Sequence, residues 1–244
     1  MAQYFLNAED FPVTTDIETL GFNYNLYLNA GASLSVVDIG GSKFFESSVN
    51  SGNNAAAIFT DIVAGTDYEI LALQAIAPNA TDSQVAMGMA FFAPNANVTF
   101  TPPWAINYQS AGGTITRNKW GTYTTTTTDT IPPNLDLTQH SGFRGKVSGN
   151  TVYGKFWQHA SDLIANEPAG WNFEAVTNGS QPASGYPALM KYGQNASKMR
   201  FNIISIGTNG DAAPTSAPLQ QTVSTPTNLQ TQNITSSGAL LNWD

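Results

Sequence analysis

The sequence predicts an all-β fold, a sandwich or barrel of many short strands, from three observations. Apolar and β-branched residues occur in short runs bounded by Gly, Asn or Pro. Several of these runs alternate between two faces with a period of two residues. No window of about 12 residues keeps the 3.6-residue period of a helix, and residues 158–167 come nearest to it. Strands at close spacing with turn residues between them are typical of sandwiches and barrels.

Strand patterns follow one another along the chain. They cover residues 33–39, 67–76, 84–94, 113–120, 142–150, 151–158, 171–177 and 199–207. The Thr-rich stretch from Tyr123 to Asn134 is expected to be an edge strand that runs into a loop. Thr favours extended backbone because it is β-branched, and the prolines of this stretch cannot donate to a ladder.

Residues 151–157 show the alternation most clearly. The even-numbered residues of this segment share one face, and Tyr153, Lys155 and Trp157 share the other. Gly149-Asn150 lies between this segment and the preceding one. Because both residues tolerate positive φ, the pair predicts a two-residue hairpin turn.

Composition excludes several classes of function. The chain has 244 residues, no cysteine, nine Lys and Arg together, and a net charge of −8. Disulfides and thiolate metal sites are therefore impossible, and nucleic-acid binding is not expected because it requires clustered basic residues. The sequence contains no run of about 18 apolar residues, the length needed to span a membrane. The N-terminus lacks the pattern of a signal peptide. The protein is expected either to stay in the cytoplasm or to leave it in an assembly released by lysis.

The composition and residue pattern of the chain change near residue 210. Residues 1–210 carry the strand patterns, and residues 211–226 are rich in Pro, Thr, Ser and Ala, which predicts a linker. Residues 227–244 are spaced like two short strands around a Ser-Ser-Gly turn, and they resemble the opening of a fibronectin type III domain. This segment is far shorter than the roughly 100 residues of such a sandwich.

Three elements carry a second resemblance. Trp157 ends an alternating strand, Glu167-Pro168-Ala169-Gly170-Trp171 follows in a loop, and Gly207-Thr208-Asn209-Gly210 leads to Pro214. Together they resemble the closing strands of the concanavalin A-like (laminin-G-like) jelly-roll domains of bacteriophage tail and virion proteins. The resemblance implies a two-sheet antiparallel jelly-roll sandwich. It says less about activity, because this fold includes lectins, glucanases and structural modules.

Residues for catalysis are sparse. The Glu-x-Asp-x-x-Glu signature of jelly-roll glucanases is absent. The most similar pattern is Asp67-Tyr68-Glu69, and its two acids are expected to be exposed on a strand. His140 and His159 are the only imidazoles, and they lack metal-ligand spacing and a nucleophile elbow. We therefore expect no enzyme activity, no metal and no cofactor.

The resemblance suggests a non-enzymatic bacteriophage virion protein, a tail or fibre component or a head decoration. It would attach to the particle or to a host-surface glycan, with other virion subunits, host polysaccharide and further copies of itself in a homo-oligomer as partners. The alternatives are a carbohydrate-binding module of a glycan-degrading protein and a glycanase. Five aromatic residues are candidates for stacking on a glycan: Trp104, Tyr108, Trp120, Tyr123 and Trp157.

Overall fold

The computed structural model describes most of the chain. The described residues are 3–20, 24–26, 33–48, 55–59, 65–76, 85–93, 104–111, 114–121, 123–129, 136, 138–177, 182–183, 185–192, 198–217, 231–235 and 238–241. They form eighteen strands and two short 3-10 turns, Ala8–Asp10 and Ile17–Leu20. Within this part of the chain, no helix is long and apolar enough to cross a membrane.

The strands are numbered in chain order. They are β1 (Gln3–Asn7), β2 (Tyr24–Leu26), β3 (Ser33–Ile39), β4 (Ser42–Ser48), β5 (Ala55–Phe59), β6 (Tyr68–Ala75), β7 (Val85–Ala93), β8 (Trp104–Ala111), β9 (Thr114–Gly121), β10 (Tyr123–Asp129), β11 (Ser141–Ser148), β12 (Thr151–Gln158), β13 (Phe173–Thr177), β14 (Tyr186–Tyr192), β15 (Lys198–Phe201), β16 (Ile203–Thr208), β17 (Thr231–Thr235) and β18 (Gly238–Leu241).

Two large antiparallel sheets make up the sandwich. The seven-stranded sheet has the order β1-β16-β6-β11-β12-β13-β10, and the six-stranded sheet has the order β2-β5-β14-β7-β8-β9. A three-stranded sheet, β15-β4-β3, and a separate hairpin, β17-β18, complete the described strands. The Thr-rich segment forms β10, which lies at the edge of its sheet as predicted.

The predicted alternation sets the faces of the seven-stranded sheet. Val152 and Phe156 of β12 are buried in the main core, and Gly154 faces Ile106 of the six-stranded sheet. A Cβ atom at Gly154 would lie 2.8 Å from Ile106 Cδ1, so the two sheets pack closely here. We call this side of the seven-stranded sheet its inner face and the opposite side its outer face.

The turn predicted at Gly149-Asn150 is confirmed. Ser148 pairs with Thr151 across it, and the register continues without a break to Ser141 and Gln158. Gly149 has a φ of 54°, a conformation that costs glycine little.

One predicted strand is two strands in the structure. Within residues 199–207, β15 pairs with β4 and β16 pairs with β6, and the chain changes sheets at Asn202. The buried Asn202 amide donates hydrogen bonds to Lys43 O (2.7 Å) and to Glu9 Oε1 (3.2 Å), which holds the junction. Side-chain hydrogen bonds of this kind are invisible to a periodicity argument.

The first residues of the predicted linker lie against the sandwich. Ala213 is buried, and residues 211–214 lie against the seven-stranded sheet. The predicted boundaries of the sandwich, the linker and the last segment stay a prediction. The two strands expected after the linker are present as the β17-β18 hairpin, whereas its fibronectin type III character stays a prediction.

Candidate functional site on the outer face

The outer face of the seven-stranded sheet carries a second apolar cluster beneath the loop of residues 159–172. Its buried members are Leu71, Leu73, Trp157, Leu163 and Ala213. The indole Nε1 of Trp157 donates a hydrogen bond of 2.6 Å to the carbonyl of Leu163. The loop is therefore fastened to the sheet by both packing and a hydrogen bond.

Four charged side chains form an ion cluster beside this apolar cluster: Glu69, Arg144, Lys155 and Glu167. Arg144 NH1 donates to Glu69, and Arg144 NH2 donates to Glu167 Oε2 at 2.8 Å. Lys155 Nζ lies 2.5 Å from Glu167 Oε1 and donates to Pro168 O at 2.8 Å. The expectation that Glu69 is an exposed strand acid is wrong, because it is buried against Arg144.

The cluster changes the pKa of two of its members. Burial alone would lower the pKa of Arg144, but its hydrogen bond to Glu167 and the charges of Glu69 and Glu167 outweigh burial and raise it. Burial alone would raise the pKa of Glu167, yet hydrogen bonds and charges from Arg144 and Lys155 outweigh burial and hold it below its ordinary value. Both shifts favour the charged forms of Arg144 and Glu167.

The segment after β16 also fastens onto this face. Ala213 N donates to Glu69 Oε1 (3.1 Å), and Arg144 donates to Ala213 O (3.0 Å). A Cβ atom at Gly207 would overlap the backbone of residues 211–212, so only glycine lets the segment fold back so closely. This explains why a glycine begins the Gly-Thr-Asn-Gly element.

A concave pocket of about 270 Å³ opens at the end of the sheet where β6 and β12 end and β11 and β16 begin. Its apolar floor comes from Leu73, Leu163 and Ile203, which belong to or pack against the second cluster. Its other lining residues are Gln74, His140, His159, Ala160, Ser161, Asp162 and Ile164. Polar groups over an apolar floor are the composition of a small-ligand site.

The two histidines line the same pocket, and the β11-β12 register explains why. Ser141 pairs with Gln158, so the next residues outward, His140 and His159, flank the same end of the hairpin. His159 Nδ1 accepts a hydrogen bond of 3.1 Å from Asp162 N. In the neutral imidazole the proton then resides on Nε2, which makes His159 a hydrogen-bond donor.

A β-bulge places Gln74 at the pocket. The pairing of β6 with β11 shifts between Ser141 and Phe143, and Gln74 takes a φ of 53°, which is unusual for a residue other than glycine. Its side chain is exposed. Bulges re-aim side chains and are frequent beside functional sites, so the strained backbone at Gln74 has an explanation in the geometry of the pocket.

The five aromatic candidates do not form one site in the described structure. Trp104 and Trp157 are 2% and 4% exposed, so neither can stack on a sugar, and that expectation is wrong for both. Trp104 instead packs edge-on against Phe92 in the main core, with ring centroids 5.2 Å apart. The side chains of Tyr108, Trp120 and Tyr123 lie outside the described residues, and their role stays a prediction.

Among the described side chains, no group of three or more His, Asp or Glu residues is arranged to hold a metal ion. Asp67, the other acid that the sequence offered for catalysis, accepts hydrogen bonds from Gly149 N (3.0 Å) and Ser148 Oγ (3.3 Å). It stabilises the hairpin turn, while Glu69 belongs to the ion cluster. The two acids thus have separate structural roles.

Comparison with solved structures identifies the type of fold. The chain is similar to lectin II from Ulex europaeus, with a TM-score of 0.50 and 8% sequence identity over 84% of this chain and 97% of the lectin. It is also similar to arcelin-5, a lectin-like defense protein from Phaseolus vulgaris (TM-score 0.45, 7% identity, 84% of this chain and 98% of arcelin-5). A third is carbohydrate binding module CBM66 from Bacillus subtilis (TM-score 0.42, 9% identity, 75% and 95%).

The two large antiparallel sheets and the similarity to lectin II confirm the predicted fold class, a two-sheet antiparallel jelly roll. No family model and no curated protein sequence matches the chain. At such low identity the similarity shows the fold alone, so function has to be argued from the site.

Proposed function

We propose that the protein is a non-enzymatic glycan-binding jelly roll whose outer-face pocket binds a sugar unit. The observation that carries this proposal is the pocket itself, about 270 Å³ with polar side chains above an apolar floor. A sugar needs both features, because its ring presents apolar C–H faces and a rim of hydroxyl groups. Leu73, Leu163 and Ile203 supply the apolar contact.

The polar lining suits hydroxyl groups. His159 supplies an N–H donor, Gln74 supplies a donor and an acceptor, and Ser161 supplies a hydroxyl. Asp162 is exposed and uses Oδ1 to accept from Ala165 N at 2.9 Å, which fixes the orientation of its carboxylate. A site of this kind is preformed, so little conformational entropy is lost when a ligand binds.

The setting of this activity belongs to the same proposal. We place the protein on a bacteriophage particle, as a tail, fibre or decoration component that attaches the particle to a host-surface glycan. Repeated copies in a particle would raise the avidity of a weak single site. The proposal is supported by the binding pocket and by the resemblance of Glu167-Pro168-Ala169-Gly170-Trp171 and its neighbours to virion jelly rolls.

The test is binding of the fluorescently labelled protein to intact bacterial cells, with soluble surface polysaccharide as competitor. We expect saturable binding that the polysaccharide abolishes. The informative variant is His159→Asn, because an Asn oxygen can still accept from the turn N–H while the pocket loses its Nε2–H donor. Loss of one hydrogen bond should weaken binding by up to about tenfold.

Val13→Ala is the matched control, since Val13 is exposed and lies beside Thr14, which bridges to β3 rather than to the outer face. It should bind like the wild type. Absence of competable binding on every bacterial surface tested, or equal binding by His159→Asn and wild type, would contradict the proposal.

A further inference from the structure

A pair of aromatic side chains lies on the outer face at a distance from the pocket. Tyr153 and Trp171 are both half-buried, and their ring centroids are 5.6 Å apart with an interplanar angle of 44°. Lys155 Nζ sits 5.0 Å from the centroid of the Trp171 ring. Since the same Nζ is bound to Glu167 and to the carbonyl of Pro168, the ion cluster also holds the Trp171 ring in place.

Polar groups of opposite charge flank this pair. Tyr153 is paired with Lys146 on β11 and with Glu174 on β13. Glu174 is exposed and Lys146 is half-buried, so the aromatic pair has an acceptor on one side and a donor on the other. Val176, which is 44% exposed, extends the apolar surface along β13. The flanking charges cancel, which favours a neutral ligand.

The aromatic pair and the pocket are joined by one strand. Within β12, Tyr153 and Gln158 are about 17 Å apart at the usual rise per residue, and His159 of the pocket follows directly. A single sugar in the pocket is too short to span that length to Tyr153. A chain of sugars laid along β12 and the loop can contact both.

We infer that the ligand is a chain of neutral sugar units, one of which occupies the pocket while another stacks on Tyr153 and Trp171. This inference rests on the proposed function and extends it. Pyranose C–H groups carry a small positive charge and are attracted to the negative face of an aromatic ring. Rings that are already immobilised lose little side-chain entropy on stacking.

The test measures Kd by calorimetry for the full chain with neutral gluco-, manno-, galacto- and xylo-oligosaccharides of one to six units. In the series that binds, we expect affinity to rise by about tenfold or more between the monosaccharide and the longer chains, as burial of one ring face predicts. Trp171→Ala should remove this gain and leave the Kd of the monosaccharide unchanged. Val13→Ala should change neither.

A second variant guards against a loop that loosens when Trp171 is removed. Glu174→Ala deletes an exposed carboxylate beside the rings that takes no part in the hydrogen bonds and ion pairs of the ion cluster described above. It should reduce the gain for long chains alone. If the hexasaccharide binds no more tightly than the monosaccharide, or if both variants keep the full gain, the inference is wrong. If no sugar of any length binds, the proposed function itself fails.

Discussion

Replacing Arg144 by methionine tests whether the ion cluster is what holds the loop of residues 159–172. Arg144 is 7% exposed and neutralises Glu69, which is 6% exposed, while it shares Glu167 with Lys155. Arg144→Met leaves two carboxylates beside one ammonium group. Breaking a buried ion pair by removing one partner costs about 3–5 kcal/mol. For a domain of this size that corresponds to a drop in Tm of about 6–20 °C.

A double variant separates the loss of a charge partner from the loss of packing. Arg144→Met combined with Glu69→Leu removes one charge of each sign and leaves Lys155 paired with Glu167. Ala213 N then lacks its acceptor, a cost of about 1–3 kcal/mol. The double variant should nevertheless be more stable than Arg144→Met alone, although it carries more substitutions, because it no longer buries an unpaired carboxylate.

The assay is urea unfolding at pH 7, followed by tryptophan fluorescence. Lys146→Met is the matched control, because Lys146 lies on the same face of the same strand and is half-buried; it should stay within about 1 kcal/mol of wild type. The reasoning is refuted if Arg144→Met is as stable as Lys146→Met. It is also refuted if adding Glu69→Leu to Arg144→Met lowers stability further.

Three further predictions concern the same face. Because the pKa of Glu167 is depressed in the folded state, its stabilising contribution is complete above its unfolded pKa of about 4.3 and is lost as pH falls through the folded value; Glu167→Gln should flatten that part of a Tm-against-pH curve. Gly142→Ala puts a methyl group into the Trp157 ring and should cost about 1–3 kcal/mol in urea unfolding, with a shift in tryptophan emission. Gln74→Gly relieves a positive φ and should raise stability by about 1 kcal/mol while weakening glycan binding in a titration.

The hairpin of β11 and β12 shows how far sequence reasoning reaches. Strand alternation and the Gly149-Asn150 turn can both be predicted from the sequence, and together they determine the register. Extending that register by one pair beyond Ser141 and Gln158 places His140 and His159 at the same end of the hairpin, where both line the pocket. The sequence thus contained the signal for the histidine pair of the pocket, although spacing along the chain alone does not reveal it.

The ion cluster shows where sequence reasoning stops. Glu69 and Arg144 are 75 residues apart in the chain, and their contact depends on β6 being the neighbour of β11. Strand order in a sheet is set by long-range pairing, which local periodicity does not contain. An acid in an alternating strand looks exposed until the loop that covers it is placed. The same limitation left Trp104 and Trp157 among the candidates for stacking on a glycan.

The chemistry beneath the loop bears on what the loop does. A buried ion pair is seldom more stabilising than an apolar replacement of similar volume, because desolvation offsets most of the attraction. What Arg144 supplies to Glu167 is direction, since NH2 donates a hydrogen bond of 2.8 Å to Oε2. Its Nε lies 2.6 Å from Oε1 as an ion pair without a hydrogen bond. An apolar cover could slide over the sheet, whereas these contacts fix the loop in one position. The proposed glycan binding would require that fixed position, because the loop lines the pocket at one end and presents Trp171 at the other. Under that proposal the buried charges serve ligand recognition more than stability.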